Sequence, residues 1–396
     1  MNKKFLDLGY QPLANRYLRS FKKLSKTKNE LYKLTVSFNT KTKLVSLINK
    51  IPDKKMFNST YPYKSSMSQT MISSFKNLSI KIKKRFNPIK FLEIGSNDGA
   101  LIKNFDKSKV VCVEPCSNLA KITRKGGYFT YNKYWNLNLA KDIKKKFNNI
   151  DVIYSANTLT HINDLNQVFK SISHILNRDG ILIIEDPSFL ECIKKNSYDQ
   201  FYNEHIYIFS ALSLRNLINK FDLEFFDIET LDTHGGSLRY FIKNINNKKI
   251  KIKKSVSKQL LKEIKFGLKR FNTYKKFGTS VKKSKNDLIN LFYNLKKKNK
   301  KIIGYGATAK ASTILNYCGI DKNIIDYFVD TTPDKVNRFM PGKNIKILSY
   351  NKKFLKNIDY IFLGAWNFKK EIFKKEKNYI KKGGKFLTHI PFPKII

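Results

Sequence analysis

Four short stretches of the chain carry residue types that could do chemistry at spacings that matter. EIGSNDG (93–99) closes an apolar run with a turn holding two glycines, Gly95 and Gly99, and two acids, Glu93 and Asp98. At the carboxyl end of a strand such a turn lets the backbone come close to a ligand. Asn97 stands where a dinucleotide fingerprint has its second glycine. Carboxylates there tolerate a cationic sulfonium with an amino-acid tail better than a pyrophosphate; an ordinary strand-to-helix turn is the plain alternative. Glu114 follows about twenty residues after Glu93, where an acid can accept from both hydroxyls of a ribose. Asn157 and Thr158 end another apolar run and would meet a cofactor at the same edge, and His161 is either a pocket residue or support behind one. YNEH (202–205) gathers the Tyr202 phenol, the Glu204 carboxylate and the His205 imidazole. A histidine near neutral pKa can take a proton from carbon when the carbanion is stabilised as an enolate, the alternative being a hydrogen-bonded loop histidine. GYGATA (304–309) matches G-x-G-x-x-A, with Asp330 about twenty residues on; taken alone it supports a nicotinamide domain, and Lys310 could meet a phosphate.

Strands must bring these turns to one edge. From Phe91 onward the pattern alternates strand and helix: KFLEIG (90–95), KVVCVE (109–114), GYFTYN (127–132), DVIYSAN (151–157) and GILIIE (180–185) read as strands, with an amphipathic helix over Asp164 to Leu176. LEFFDIETL (223–231) and SLRYFI (237–242) flank the turn-rich THGGS and should pair antiparallel. Apolar residues from Val256 to Leu295, Leu268 among them, recur at three- and four-residue steps and predict one long helical connector with a lysine-rich outer face. KIIGYGATAK (301–310) then opens a second α/β unit. The expected fold class is α/β: a Rossmann-like methyltransferase domain (86–243), a helical connector (244–300) and a second Rossmann-like domain (301–396), behind a small N-terminal domain (1–85).

The length of 396 residues suits two to three domains of about 150. A formal net charge of +48 first suggests a polyanionic partner. Only nine of the 78 basic residues are arginine, however, whereas base reading and bidentate phosphate contacts favour the guanidinium. The charge therefore reads as a lysine-heavy background spread over solvated faces, with no specific nucleic-acid partner. The 41% hydrophobic content excludes disorder, and no run reaches the ~18 apolar residues of a membrane helix. Asp7 and Pro12 interrupt the start of the chain, so no signal peptide is expected and the expected location is the cytoplasm. Four cysteines, with no second pair beside Cys112 and Cys116, do not support a structural zinc.

Together LDLGYQPLAN (6–15), YPYKSS (61–66), EIGSNDGALI (93–102), VEPCSNLA (113–120), ANTLTHINDL (156–165), FYNEH (201–205), HGGSLR (234–239), GYGATAKASTILN (304–316) and VDTTP with PGKNI (329–345) resemble one family. It is that of the S-adenosylmethionine-dependent sugar C-methyltransferases, which act on nucleotide-linked 4-keto deoxysugars. The resemblance implies that Glu93, Gly95, Asn97, Asp98, Gly99, Glu114, Asn157, Thr158 and His161 hold S-adenosylmethionine. It implies His205 as general base, with Glu204, Tyr202 and Tyr63 around the sugar, and Ser65, His234, Arg239 and Lys310 as substrate contacts. It also implies a last domain that grips the nucleotide sugar without nicotinamide. One feature departs: the family's N-terminal zinc ligands are absent, FNTKT (38–42) standing where the second pair would fall, so no metal is expected.

The expected reaction is removal of the proton next to the keto group by His205, an enolate stabilised by Tyr63 or Tyr202, and attack of carbon on the methyl. The alternative is an NAD(P)-dependent nucleotide-sugar oxidoreductase using GYGATA and Asp330. DPSF (186–189) imitates the D-P-P-Y box of nucleic-acid amino methyltransferases, but it follows the fifth strand instead of the fourth, which leaves that reading a distant third.

Overall fold

The computed structural model describes residues 1–20, 30–355 and 357–396. The described residues build three sheets. The first is antiparallel: β1 (Asn2–Gln11), β2 (Tyr32–Asn39) and β3 (Val45–Leu47) lie in sequence order, and a late strand adds to the β3 edge. Alternating apolar residues, Leu6 and Leu8 on β1 and Leu34, Val36 and Phe38 on β2, turn inward and are buried. In FNTKT the Asn39 side chain accepts from the backbone of Lys41 at 3.0 Å and Thr42 at 2.8 Å, so an asparagine turn closes the β2–β3 hairpin.

The second sheet contains β4 (Phe91–Ile94), β5 (Val110–Val113), β6 (Phe129–Tyr131), β7 (Ile150–Ala156) and β8 (Leu176–Pro187) as its parallel part. β9 (Tyr207–Ile208) leaves this region and pairs with β3, tying the segment after His205 into the N-terminal sheet. β10 (Leu223–Leu231) and β11 (Ser237–Asn244) complete the order β10-β11-β8-β7-β4-β5-β6, and β11 runs antiparallel to both neighbours as the short connection requires. The inner strands β4 and β5 are buried on both faces and read as continuous apolar runs, because helices cover both sides, whereas the edge strand β6 leaves Phe129 exposed.

The connector differs from the single helix expected. Two helices, Lys254–Phe266 and Phe271–Lys297, meet at Gly267, whose φ of 95° ends the first in the left-handed region, and Leu268 lies in the break. The second helix supports the N-terminal sheet: Phe38 stacks on Tyr274 at 3.9 Å, and a Cβ on Gly278 would stand 2.2 Å from the carbonyl oxygen of Phe5. The third sheet is β12 (Ile302–Tyr305), β13 (Tyr327–Asp330), β14 (Lys346–Ser349), β15 (Tyr360–Leu363), β16 (Lys385–Thr388) and β17 (Lys394–Ile395), ordered β14-β13-β12-β15-β16-β17 and parallel but for the last. Among the described residues no helix is long and apolar enough to cross a membrane.

Candidate active site

The carboxyl ends of β4, β5 and β7, the loop before β9, the turn after β12 and the segment 61–68 enclose one cleft, with a cavity of about 360 Å³. Both parallel sheets thus present their ligand edges to the same space.

After β4 the chain turns through Gly95 (φ 78°), Asn97 (φ 50°) and Gly99 (φ 81°). A Cβ on Gly95 would lie 2.2 Å from the Thr158 hydroxyl, so glycine is what lets this turn lie against the end of β7. Glu114 organises the turn from β5: one oxygen accepts from the Asn97 N–H and the other from the Cys116 N–H, each at 2.8 Å. Each carboxylate oxygen keeps a lone pair for a further donor. Glu93 lies beneath, buried, with Oε2 unpartnered, and the buried Ser96 hydroxyl also lacks a partner. Burial, then Glu114 and Asp98, hold the Glu93 carboxyl well above the usual range. A bound cation would relieve that repulsion. These orphaned groups fit a cationic adenosyl cofactor.

Tyr63, Ser65, Glu93, Gly95, Asn97, Glu114, Asn157, Thr158, His161, Tyr202, His205, His234 and Lys310 all line the cleft, and Asp98, Gly99, Glu204 and Arg239 do not. Asp98 instead accepts from Ser65 Oγ at 3.0 Å and from the Ser66 N–H at 3.3 Å, while Asn97 accepts from the Ser65 N–H at 2.9 Å and donates to the Tyr63 carbonyl at 3.2 Å. The turn after β4 therefore holds down segment 61–68. The far side of that segment is fixed by an ion pair from Lys64 to Asp334 at 2.6 Å. Arg239, expected at the substrate, points into the sheet and pairs with buried Glu185 at 2.9 Å and with Glu229 at 3.2 Å. Position 239 faces its β8 partner Glu185 in register, which commits the guanidinium to that carboxylate.

His205 has the geometry of a neutral base. Its Nδ1 is 2.7 Å from the Gln200 carbonyl, which can only accept, so Nδ1 carries the proton and Nε2 presents a lone pair. That lone pair accepts from the Tyr202 hydroxyl at 2.6 Å. Burial, then His161 and Lys310, keep His205 well below the usual histidine value, and burial keeps the Tyr202 phenol well above its own. His161 stacks between Phe57 (5.3 Å) and His205 (5.1 Å), and burial pushes it down to about 3. Glu204 lies behind two residues of the cleft wall: Asn15 and Tyr61 donate to it at 2.8 and 2.9 Å, and burial raises it to about 7 despite both bonds. Sequence reasoning missed Asn15, Tyr61 and Gln200. Asn15 and Tyr61 lie in segments 6–15 and 61–66 that carried the resemblance, whereas Gln200 holds the His205 imidazole through a backbone oxygen, which no side-chain pattern signals.

Packing requires both glycines of GYGATA, a turn that also lines the cleft. A Cβ on Gly304 would strike the Phe328 ring at 2.4 Å and one on Gly306 would strike Ala365 at 2.5 Å. Asp330 accepts from the N–H groups of Ala307 at 2.7 Å and Thr332 at 2.8 Å, the same arrangement that Glu114 makes after β5, and it too lines the cleft. DPSF is structural too: Asp186 is fully buried and accepts from Thr160 at 3.1 Å, and Ser188 caps the helix Phe189–Lys194.

Comparison with known proteins identifies the family. A family signature described as a C-methyltransferase C-terminal domain matches residues 232–391, and one described as a methyltransferase domain matches 63–227. C-methyltransferase NovU of Streptomyces niveus is 30% identical over 307 residues, 77% of this chain and 73% of NovU. Among solved structures, an S-adenosylmethionine-dependent methyltransferase from Clostridium acetobutylicum (14% identity, 43% of this chain, 91% of that one) and magnesium protoporphyrin IX methyltransferase from Synechocystis (9%, 44%, 79%) each align with a TM-score of 0.33. Scores of that size add nothing to what the strand order already gives. The extent and identity of the NovU match show the family, and the oxidoreductase alternative falls with it: this chain belongs to the S-adenosylmethionine-dependent C-methyltransferases to which NovU is assigned.

Proposed function

We propose that the substrate is a nucleotide-linked 4-keto deoxysugar and that His205 is the general base that opens it to methylation at a carbon next to the ketone. The observation that carries this reading is the neutral His205 tautomer in the cleft, its Nε2 lone pair capped only by the mobile proton of Tyr202. Carbon is a nucleophile only once its proton is gone, and a ketone makes that loss possible by receiving the electrons as an enolate.

Glu93, Glu114, Gly95, Asn97, Asn157, Thr158 and His161 would hold the cofactor, which when bound supplies an activated methyl group. The chain's own residues do the rest. The Gln200 carbonyl fixes the imidazole so that Nε2 faces the cleft. When substrate enters, the Tyr202 hydroxyl exchanges Nε2 for the carbonyl oxygen; burial keeps it a phenol and hence a donor. Nε2 then takes the α-proton. Tyr63, raised to about 12 by burial and Asp98, is a second phenolic donor at the cleft wall. Glu204 supports Tyr61 from behind, and segment 61–68 shields the reacting carbon from water. Residues 1–85 act as the cover, 86–243 as the cofactor domain, 244–300 as the brace and 301–396 as the grip on the nucleotide. Four free, buried cysteines accord with a reducing cytoplasm.

The test is mass spectrometry of candidate keto-sugar nucleotides incubated with enzyme and S-adenosylmethionine. A gain of one CH₂ is expected, and NMR of the product locates the carbon. No gain on any such nucleotide, with methylation of a ketone that carries no nucleotide, would replace the substrate class.

A further inference from the structure

Lys310 presents a buried ammonium to the cleft. The residue is 7% exposed, yet it lines the same cavity as His205. Its Nζ donates to the His234 carbonyl at 3.2 Å and lies 5.0 Å from the centre of the Trp366 ring. The nearby carboxylate, Asp199, accepts from Trp366 Nε1 at 2.5 Å through Oδ2, which also lies 3.2 Å from His389 Nε2, while its Oδ1 is buried without a hydrogen-bond partner. One backbone oxygen and a ring face leave an ammonium, with its three protons, donor capacity toward the cleft.

The position of this cation relative to the base is set by a single residue. Gln200 donates from Nε2 to the His234 carbonyl at 2.7 Å, the same oxygen that holds Lys310, while its own carbonyl holds His205 Nδ1 at 2.7 Å. His234 adopts φ 53°, a left-handed conformation that a non-glycine residue keeps only when its surroundings enforce it, and Gly235 beside it packs so tightly on Trp366 that a Cβ would lie 2.2 Å from the ring. The turn after β10 is thus strained into the shape that aims one carbonyl at both Lys310 and Gln200. The charge also reaches the base, since Lys310 is among the causes that lower His205 and His234. Burial brings Lys310 down to about 8, which leaves it a cation at neutral pH.

Base and cation linked through one residue are what an enolisation needs, and neutral phenols lack the second of these. We propose that Lys310 is a catalytic residue whose ammonium holds the substrate carbonyl oxygen as it becomes an enolate oxygen, opposite the carbon from which His205 takes its proton. The C–H electron pair becomes the new C=C bond, the carbonyl π pair moves onto the oxygen beside Lys310, and the proton goes to His205 Nε2. The inference rests on the keto-sugar reading above. Lys310 and His205 are tied through Gln200 and line the same cleft, which brings the charge and the base to one substrate.

The step is read without methyl transfer by following deuterium uptake. The full chain is incubated in D₂O with a dTDP-linked 4-keto-6-deoxyhexose and S-adenosylhomocysteine, and exchange next to the ketone is followed by NMR. Lys310→Met should slow exchange by about 10²–10³-fold, the usual loss on removing one oxyanion donor, with S-adenosylhomocysteine affinity unchanged by calorimetry. Lys310→Arg, which keeps the charge, should lose less than Lys310→Met. If Lys310→Met no longer binds S-adenosylhomocysteine, Lys310→Gln carries the same expectation. Exchange within about threefold of wild type in a folded, uncharged variant overturns the role of Lys310 alone. Exchange that survives His205→Ala but not Lys310→Met removes the base assignment and keeps Lys310. A wild type that neither exchanges nor methylates any keto-sugar nucleotide removes both the substrate reading and this proposal.

Discussion

Glu204 offers a prediction that can be worked through from its surroundings. It is 3% exposed, accepts from Asn15 and Tyr61, and is raised by burial from 4.5 to about 7. An acid raised in the folded state favours folding only while it is protonated. Its contribution is complete below the unfolded value and is lost as pH rises through the folded one. Linkage between 4.5 and about 7 gives a loss of roughly 0.8 kcal/mol by pH 5 and roughly 3.3 kcal/mol by pH 8. Glu204→Gln keeps the shape and an acceptor for Tyr61 but cannot ionise. Relative to wild type, the variant should therefore gain about 2.5 kcal/mol of unfolding free energy between pH 5 and pH 8. Other buried acids raised in the same direction, Glu93, Glu114 and Glu263 among them, cancel in this difference because both proteins carry them. Urea unfolding at pH 5, 6, 7 and 8, followed by the fluorescence of the buried Trp135 and Trp366, measures it. A difference between the two proteins that stays flat to within about 0.5 kcal/mol across that range would refute the idea that burial dominates Glu204.

Three further outcomes are expected. His205→Asn should lower kcat by ~10²–10⁴-fold and leave S-adenosylmethionine binding by calorimetry nearly intact; turnover near wild type would take the base role from His205. Arg239→Met should cost ~3–5 kcal/mol in urea unfolding, since it strands the fully buried Glu185 carboxylate; a cost below ~1 kcal/mol would mean that the carboxylate finds another partner. Asp98→Ala frees Ser65 and Ser66 from the cofactor turn, so KM for the sugar substrate should rise severalfold with cofactor affinity changed less; an unchanged KM would show that the Lys64–Asp334 pair holds segment 61–68 unaided.

Much of this protein is legible along the chain because its chemistry sits at turns that follow apolar strands, and both features are local. The strand endings at Ile94, Val113 and Ala156, the glycines of EIGSNDG and the antiparallel β10–β11 pair follow from period, length and turn chemistry. The connector was misjudged at Gly267 for a local reason as well: its φ of 95° interrupts a periodicity that otherwise continues through it. The arginine at 239 misled because a charge in an HGGSLR stretch looks free until β11 is set in register with β8, opposite Glu185.

The sequence by itself determined the alternation of strand and helix, the glycine-bearing turn after β4 and the acid–imidazole segment at 202–205, since each depends on neighbours within a few residues. Only the tertiary structure decided which side chains face the cleft and which are engaged elsewhere. Asp98 holds a segment more than thirty positions away, Glu204 meets Asn15 across 189 residues, and Lys310 is joined to His205 through Gln200 and the strained carbonyl of His234. These are contacts between elements that the sequence separates. Their existence depends on how three sheets pack around one cavity, a condition that no local pattern encodes.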